Sequence, residues 1–348
     1  MKVTLQTKSG QFEFDCEPGE NMLAAGLRHG ITLPYECATG TCGTCRGRIM
    51  DGETQMAWED APGAARLKRE KGDCLLCQTT IQSDVLVRVP SSNVASGFPK
   101  GFVPCHSRGV ISQSRMLTHD VIHFDVEVDT PLDFDAGQFV TLTVDGVDGA
   151  RAYSMVNFDR STKTLTFVVK RFPGGGFSDW LFETDVAGAS VKVFGPVGAA
   201  TFYPEENRNI LCIGGGSGIA GMMSILSRAC NEGYFDTHKG YLFFGVRTMK
   251  DCFYVSELSE FASKAGDNLE ITLVLSEEDA GVKTHPDAPN LRLDHGFAHE
   301  AVSRSMAGRY DNVIGYVAGP PPMVDASLRV LIAEGKLPVS DIRYDKFS

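Results

Sequence analysis

Four cysteines have a spacing that is typical of an iron–sulfur site. Cys37, Cys42 and Cys45 follow one another as C-x4-C-x2-C, and Cys77 lies farther along the chain. Thiolates in this arrangement hold a [2Fe–2S] cluster of the plant type. A structural zinc site is the alternative, but zinc sites usually consist of two close ligand pairs. Cys74 is an alternative fourth ligand.

Glycines interleave these cysteines and predict a tight loop. Gly40, Gly43 and Gly47 lie between the ligands or just after them. Because glycine reaches backbone angles that other residues avoid, N–H groups of such a loop can approach the cluster sulfurs. Hydrogen bonds to those sulfurs help to set the reduction potential. The segment is therefore interpreted as an electron-transfer site.

A second group of residues suits a flavin. Arg151 supplies a cation for a phosphate, Tyr153 supplies a flat ring to pack on the isoalloxazine, and Ser154 supplies a hydroxyl near the reactive N5 edge. Each of these residues alone would indicate only a strand. The prediction depends on their order, together with the glycine run that follows.

That glycine run predicts a pyrophosphate site. Gly174 and Gly175 precede a predicted helix at 177–183, and the Ser178 hydroxyl lies at its start. The free amides of a helix N-terminus bind phosphate groups. FAD contains a pyrophosphate and FMN does not, so the sequence predicts FAD.

A glycine loop between an apolar strand (210–213) and a helix (222–231) predicts a dinucleotide site. The loop residues expected at the pyrophosphate and nicotinamide are Gly215, Gly216, Ser217 and Gly218. A later strand, 312–317, ends in a Gly-Pro-Pro-Pro-Met turn, which lies where open α/β sheets bind ligands. A stiff connector is the alternative interpretation of that turn.

Length and composition indicate a globular protein of several domains. The 348 residues allow about two or three domains. We expect no membrane span and a cytoplasmic location, because the chain has no signal peptide and no apolar run near 18 residues. The net charge of −11 argues against a nucleic-acid partner. The six remaining cysteines are expected to be free thiols in a reducing compartment.

The predicted elements divide the chain into three domains. Residues 1–92 combine strands with one helix at 21–29, and residues 93–103 form a linker rich in small and turn residues. Residues 104–203 contain strand after strand, which predicts an antiparallel β-barrel. Residues 204–348 alternate strands and helices, which predicts a doubly wound parallel α/β sheet. The fold class is therefore multidomain α+β and α/β.

Together these motifs resemble the ferredoxin–NADP reductase superfamily, and in particular the three-domain reductase components of bacterial multicomponent oxygenases. The resemblance covers essentially the whole chain, in the order ferredoxin, FAD domain, NAD domain. It implies a β-grasp ferredoxin fold, and it favours Cys77 over Cys74 because a Cys-Gln pair occurs at the fourth ligand. It also implies a monomer that passes electrons from NADH through FAD and the [2Fe–2S] cluster to a terminal oxygenase or hydroxylase, soluble or membrane-bound.

The resemblance adds functional residues. It places Ser154 against the flavin N5, and Phe347 over the free flavin face, although anchoring of the chain end is an alternative for Phe347. The further cofactor-binding residues that it implies are Val168, Lys170, Arg247, Glu277, Gly319, Pro320 and Met323. Two positions depart from the family: Gly221 replaces a usual proline, and Ala318 replaces a cysteine of many members. Because Ala318 replaces that cysteine, we expect an effect on the rate of hydride transfer and not on the class of reaction.

Nucleotide preference is expected to follow the third strand of the last domain. In the superfamily a Ser-Arg pair there grips the 2′-phosphate of NADPH, whereas this chain has Glu277 and Glu278. A carboxylate accepts a hydrogen bond from a free ribose hydroxyl and repels a phosphate, which predicts NADH. Arg247 is the counter-argument, because it can reach an adenosine phosphate. Two other functions stay open: reduction of a deoxysugar-nucleotide intermediate on an iron–sulfur partner, and non-catalytic redox sensing.

Overall fold

The computed structural model describes residues 1–97 and 101–346. These residues form two compact units. The first consists of Met1–Arg108, Val140–Ala152 and Val191–Val197, and the second of Gly109–Phe139, Tyr153–Ser190 and Gly198–Ser348. The boundaries predicted for the three domains and the linker stay predictions.

The N-terminal part is a mixed sheet with one helix. Its elements are β1 (Lys2–Thr7), β2 (Gly10–Asp15), α1 (Met22–Arg28), β3 (Ile31–Thr32), β4 (Arg46–Asp51), β5 (Thr54–Met56), β6 (Asp73–Leu75), β7 (Thr79–Ile81), β8 (Val85–Arg88) and β9 (Ala95–Ser96). The main sheet has the order β2-β1-β8-β4-β6, with β1 antiparallel to β2 and parallel to β8. Two short antiparallel pairs, β3–β9 and β5–β7, complete this part.

Local signals explain where α1 begins and ends. The side chain of Asn21 accepts a hydrogen bond of 2.9 Å from the amide of Ala24, which caps the first turn. Gly30 follows with a φ of +74°, a conformation that costs glycine little and ends the helix. All residues from Met22 to Leu27 are buried, so the helix is part of the core.

The central part is a six-stranded sheet in the order β13-β12-β15-β10-β11-β14. Its elements are β10 (Cys105–Thr118), β11 (Val121–Leu132), β12 (Phe139–Val144), β13 (Arg151–Ser154), β14 (Thr162–Lys170), α2 (Gly176–Glu183) and β15 (Ser190–Val197). Strand β11 pairs antiparallel with both β10 and β14. Phe124 and Phe167 are fully buried with ring centroids 5.3 Å apart.

The C-terminal part is an α/β sheet in the order β19-β20-β18-β17-β16-β21-β22. Its elements are β16 (Asn209–Gly215), α3 (Ile219–Asn231), β17 (Gly240–Val246), α4 (Val255–Ala265), β18 (Leu269–Leu275), β19 (Thr284–His285), β20 (Ala288–His295), α5 (Ala298–Met306), β21 (Val313–Gly319), α6 (Pro321–Ala333) and β22 (Ile342–Lys346). All its strands run parallel except β19, which pairs antiparallel with β20.

This strand order determines where a ligand can bind. The chain proceeds from β16 outward to β17 and β18, and then returns to the other side of β16 with β21. A crevice forms at such a reversal, outside the carboxyl ends of the two strands. The glycine loop follows β16 and the proline turn follows β21, so the topology brings the two predicted nucleotide motifs together.

No helix among residues 1–97 and 101–346 is long and apolar enough to cross a membrane.

Candidate functional site

The four predicted cluster ligands converge in the N-terminal part. The sulfur atoms of Cys45 and Cys77 lie 3.2 Å apart and are buried. The amide of Cys42 lies 3.4 Å from the sulfur of Cys37, which brings the other two ligands together. Two cysteine pairs in close proximity are what the two irons of a [2Fe–2S] cluster require.

Backbone amides surround these sulfurs. The amide of Thr39 lies 3.4 Å from the sulfur of Cys37, and the amide of Thr44 lies 3.5 Å from the sulfur of Cys42. Donors of this kind stabilise thiolates and metal–sulfur centres. Gly63 closes the loop from outside, where its amide donates a 2.9 Å hydrogen bond to the carbonyl of Gly40. A Cβ on Gly63 would lie 2.5 Å from the amide nitrogen of Gly43, so only glycine fits.

Cys74 has a different environment from Cys77. It lies in β6, opposite Gly47 of β4, where it is buried in the sheet. Cys77, in contrast, has its sulfur 3.2 Å from that of Cys45. The side chain of Gln78, which follows Cys77, reaches within 3.9 Å of the Cys77 sulfur. The geometry favours Cys77 as the fourth ligand.

The predicted flavin residues Tyr153 and Ser154 lie at the end of β13. Ser154 is buried, and its Cβ lies 3.8 Å from the position that a Cβ on Gly221 would take in the first turn of α3. The Tyr153 ring is partly exposed and lies 5.2 Å from the ring of Phe177 in α2. Ser154 therefore lies between the candidate flavin region and the helix that follows the nucleotide loop.

The glycine run before α2 forms a closed turn. Gly174 has a φ of +79°, and the amide of Gly175 donates to the carbonyl of Phe172 at 2.8 Å. The buried Ser178 hydroxyl contacts this same carbonyl at 2.8 Å and accepts a hydrogen bond of 3.2 Å from the Phe172 amide. Ser178 thus holds the turn, and the backbone amides at the start of α2 are left as the groups that can bind a pyrophosphate.

The other three predicted flavin residues have separate positions. The Arg151 guanidinium donates to the carbonyls of Asp148 and Ala150, at 3.3 and 3.1 Å. Val168 is buried in β14. Lys170 ends β14, and its side chain passes 3.9 Å from the position of a Cβ on Gly216 in the nucleotide loop.

The two nucleotide motifs pack directly on each other. A Cβ on Gly218 would lie 2.3 Å from the carbonyl oxygen of Ala318, and a Cβ on Gly215 would lie 2.9 Å from the terminal methyl of Met323. Gly319, with a φ of +153°, contacts the same Met323 side chain. Pro320 caps α6 at this edge of the sheet. Close packing against backbone thus requires glycine at Gly218, and the loop of Gly215, Gly216, Ser217 and Gly218 leaves its backbone as the surface for a ligand.

Arg247 and Glu277 lie side by side after β17 and β18. The amide of Glu277 donates to the carbonyl of Arg247 at 2.8 Å, and the side chain of Glu277 is exposed. Glu278 accepts a 2.8 Å hydrogen bond from the amide of Met249. The Arg247 guanidinium lies 2.9 Å from a carboxylate oxygen of Asp251, and this hydrogen bond raises the pKa of Arg247.

Phe347 lies outside the described residues. The strand that leads to it, β22, pairs Lys346 with Gly319 of β21, at the carboxyl edge of the sheet.

Sequence reasoning missed Asp120, a carboxylate in the turn between β10 and β11. Its Oδ2 atom is 3.2 Å from Nζ of Lys170, and Arg247 also contacts this atom. Asp120 thus connects two predicted cofactor-binding residues that lie 77 positions apart (247 − 170). It carries no local motif, so only the tertiary structure could identify it.

Family models match three successive parts of the chain. They are a 2Fe-2S iron-sulfur cluster binding domain at residues 5–82, an oxidoreductase FAD-binding domain at 108–202 and an oxidoreductase NAD-binding domain at 212–328. The chain is 34% identical over 341 residues to the ferredoxin--NAD(P)(+) reductase CarAd of Metapseudomonas resinovorans, which covers 97% of this chain and 98% of the relative. It is 33% identical to the ferredoxin--NAD(+) reductase component of the alkene monooxygenase system of Xanthobacter autotrophicus, over 96% of this chain and 97% of the relative.

A solved structure shows the same architecture over the full length. The ferredoxin reductase in carbazole 1,9a-dioxygenase superposes with a TM-score of 0.85 at 32% identity, and it covers 100% of this chain and 99% of its own. The predicted fold class and the predicted [2Fe–2S], FAD and NAD cofactors are confirmed by these matches.

The donor sets described above fit these groups: four converging thiols with amide donors, a glycine turn at a helix start, and a backbone-lined crevice at a strand-order reversal. When bound, FAD accepts the two electrons of a hydride and the cluster carries electrons singly, which lets a two-electron donor serve one-electron chemistry. The chain therefore belongs to the ferredoxin–FAD–NAD reductases that form the electron-transfer components of multicomponent oxygenases.

Proposed function

We propose that this chain oxidises NADH and delivers the electrons, one at a time, to the oxygenase or hydroxylase component of a multicomponent system. Cys37, Cys42, Cys45 and Cys77 hold the cluster in this proposal. The observation that carries it is the pair of close cysteine contacts, Cys45 with Cys77 and Cys37 with Cys42, within a loop that points amides at the sulfurs.

The chain's own residues position the reactants. Tyr153 and Ser154 orient the flavin from β13, and the amides at the start of α2 bind its pyrophosphate. The loop of Gly215–Gly218 and the turn at Gly319–Met323 hold the nicotinamide nucleotide at the crevice beside Ser154. Catalysis here requires placement and exclusion of water, and no general base is needed, because the nicotinamide supplies its hydride directly.

NADH is the proposed donor because carboxylates dominate the position that would grip a 2′-phosphate. Glu277 and Glu278 follow β18, and the cation Arg247 is already bonded to Asp251. A phosphate placed there would meet two carboxylates and only one cation whose charge is already compensated.

An anaerobic titration with NADH tests the proposal. FAD takes two electrons and the cluster takes one, so full bleaching of both chromophores requires about 1.5 NADH per chain. The purified protein should contain about two irons and one flavin. Zinc in place of iron, or bleaching complete at about one NADH, would contradict the proposal.

Two further properties belong to the same proposal. The chain acts as a monomer in the cytoplasm, and its oxygenase partner is soluble or membrane-bound. Sedimentation velocity of the holoprotein tests the first, and co-sedimentation of the partner's activity with membranes distinguishes the two kinds of partner.

A further inference from the structure

The surface beside the cluster loop carries a concentration of positive charge. Residues 61–72 contain four basic side chains and one acidic side chain, Glu70, in a chain whose net charge is −11; Glu59 and Asp60 precede this segment, and Glu59 pairs with Arg69. The four basic residues, all exposed, are called here the basic rim: Arg66, Lys68, Arg69 and Lys71. Their sign is opposite to that of the chain as a whole.

Two contacts hold the basic rim next to the cluster ligands. Upstream of the rim, Gly63 is hydrogen-bonded to Gly40 and packed against Gly43 in the loop that carries Cys42. Within the rim, the amide of Lys68 donates a 3.1 Å hydrogen bond to the buried carboxylate of Asp73. Asp73 begins β6, which pairs with β4 directly after Cys45. The rim is therefore fixed to both sides of the cluster loop.

An exposed tryptophan follows a residue that is hydrogen-bonded beside the fourth ligand. The amide of Ala57 donates a 2.7 Å hydrogen bond to the carbonyl of Gln78, the residue after Cys77, and Trp58 follows with 38% of its surface exposed. Glu59, the residue after Trp58, forms an ion pair with Arg69, which holds this segment against the rim. Tryptophan and arginine are enriched among the residues that dominate binding energy at protein interfaces.

Cys42 connects this surface with electron transfer. It is the exposed member of the four predicted ligands, whereas Cys37, Cys45 and Cys77 are buried. An electron leaving the cluster therefore has its shortest route to a partner through the surface that Cys42 shares with Gly43 and Gly63.

We propose that Trp58 and the basic rim form the docking surface for the protein that accepts electrons from the cluster, and that this partner presents an acidic patch. The inference rests on the proposed function, because it assumes that the cluster is the exit for electrons. Opposite charges at the two surfaces steer encounter and fix orientation, and their effect falls as salt rises. Trp58 supplies an exposed apolar contact beside the rim.

A matched pair of acceptors tests this inference on the holoprotein. Native cytochrome c is basic, and cytochrome c with succinylated lysines carries the opposite charge on the same haem protein. The triple variant Arg66→Glu, Lys68→Glu, Lys71→Glu should lower kcat/KM for the succinylated acceptor about tenfold at ~20 mM ionic strength, and should raise it for the native acceptor. Both differences should nearly vanish at ~0.5 M salt, where the Debye length is only a few ångströms.

Control variants distinguish the effect of the rim on kcat/KM from the effect of net charge. Lys8→Glu, Lys163→Glu and Lys239→Glu reverse the same number of exposed charges elsewhere in the chain, and should change neither acceptor's kcat/KM more than about twofold. Trp58→Ala should lower kcat/KM for both acceptors and leave the salt dependence unchanged. Far-UV circular dichroism and cluster absorption confirm that each variant is folded and loaded.

Ferricyanide distinguishes the two proposals. It is a small acceptor that draws on the flavin, so NADH–ferricyanide activity should be the same in wild type and in all variants. Its absence in the wild type would overturn the proposed function. Normal ferricyanide activity, together with a rim variant that behaves like the control triple, would overturn the docking surface alone. An equal loss with both cytochromes in the rim variant would also overturn it.

Discussion

The Nη2 atom of Arg247 lies 2.9 Å from Oδ2 of Asp120, although 127 residues separate them in the chain. The same nitrogen bonds Asp251 at 2.9 Å. Arg247 is the cation that could bind the 2′-phosphate of NADPH, and two carboxylates already compensate its charge. We therefore predict that nucleotide preference depends on a residue of the β10–β11 turn as well as on the nucleotide sheet.

Removing the charge of Asp120 should make the enzyme more tolerant of NADPH. In Asp120→Asn, Arg247 keeps one carboxylate partner in place of two, and its cation becomes more available to a phosphate. We expect kcat/KM for NADPH to rise about threefold to tenfold, which corresponds to about 0.7–1.4 kcal/mol, with little change for NADH. Steady-state NAD(P)H–ferricyanide kinetics measure this. An unchanged ratio would show that Arg247 does not face the phosphate.

Reversing the charge of Glu277 should have a larger effect. The wild type should prefer NADH by at least about tenfold, and Glu277→Arg should narrow that gap by about tenfold, because a repulsion is exchanged for an attraction at the phosphate position. Glu277→Gln is the control and should lie between the two, since it removes only the repulsion. If all three proteins show the same ratio, Glu277 is a solvated turn residue without contact to the nucleotide.

The choice between Cys74 and Cys77 as a cluster ligand predicts opposite outcomes for two conservative variants. Cys77→Ser should lose nearly all cluster absorption and iron, because the sulfur that lies 3.2 Å from Cys45 is gone. Cys74→Ala should keep about two irons per chain, since its thiol is buried in the sheet. Both should retain NADH–ferricyanide activity through the flavin. Iron loss in the Cys74 variant and not in the Cys77 variant would reverse the assignment.

Retention of FAD should depend on the backbone at Gly174. Alanine there is strained at a φ of +79° and would shift the turn that leads into α2, whose first amides are proposed to bind the pyrophosphate. We expect the Kd for FAD to rise about tenfold in Gly174→Ala. Gly188→Ala is a matched control, because Gly188 has a φ of +81° and, like Gly174, open space around a Cβ. Chromatography of the released flavin should show FAD; FMN as the main species would contradict the pyrophosphate site.

Glu20 should make stability dependent on acid pH. Burial alone would raise its pKa, but hydrogen bonds from His106 and Arg28 lower it to about 2, from an ordinary value of 4.5. The resulting stability is fully present above about pH 4.5 and is lost as pH falls toward 2. Glu20→Gln should cost about 3 kcal/mol at neutral pH, because it removes the buried carboxylate that pairs with Arg28 at 2.9 Å.

Thermal unfolding followed by far-UV circular dichroism measures this effect. The difference in Tm between wild type and Glu20→Gln should shrink between pH 5 and pH 3. Glu17→Gln is the control: Glu17 also pairs with Arg28 but is 69% exposed, so its loss should cost less than about 0.5 kcal/mol. A pH-independent difference would show that the carboxylate charge of Glu20 is not what stabilises the fold.

The local features of the fold could be predicted from sequence because each depends on neighbouring residues. Asn21 and Gly30 determine the ends of α1, and alternation of apolar residues determines strands such as β11. The pair β19–β20 was not predicted, because the region between 279 and 290 is polar and contains two prolines. Its strand β20 is recognisable only through its parallel pairing with the buried β18.

The candidate site likewise contains features that local sequence predicts and features that only the tertiary structure reveals. Cysteine spacing and glycine loops are short-range signals, so their positions follow from sequence. The hydrogen bond from the Ser178 hydroxyl to the carbonyl of Phe172 could not be predicted, because it depends on how the turn folds. Asp120 could not be identified at all, since nothing in its local sequence indicates that Lys170 and Arg247 approach it.

Trp58 and Trp180 are the two tryptophans of the chain, and they lie in different cofactor regions. Trp58 follows the contact between Ala57 and Gln78 at the cluster, and Trp180 lies in α2 with its ring 5.5 Å from that of Phe177. Intrinsic fluorescence therefore offers a separate optical reporter for each prosthetic group during reconstitution of the apoprotein. In Trp58→Phe the remaining emission, from Trp180, should be quenched by flavin and not by iron and sulfide. In Trp180→Phe the remaining emission, from Trp58, should be quenched by iron and sulfide and not by flavin.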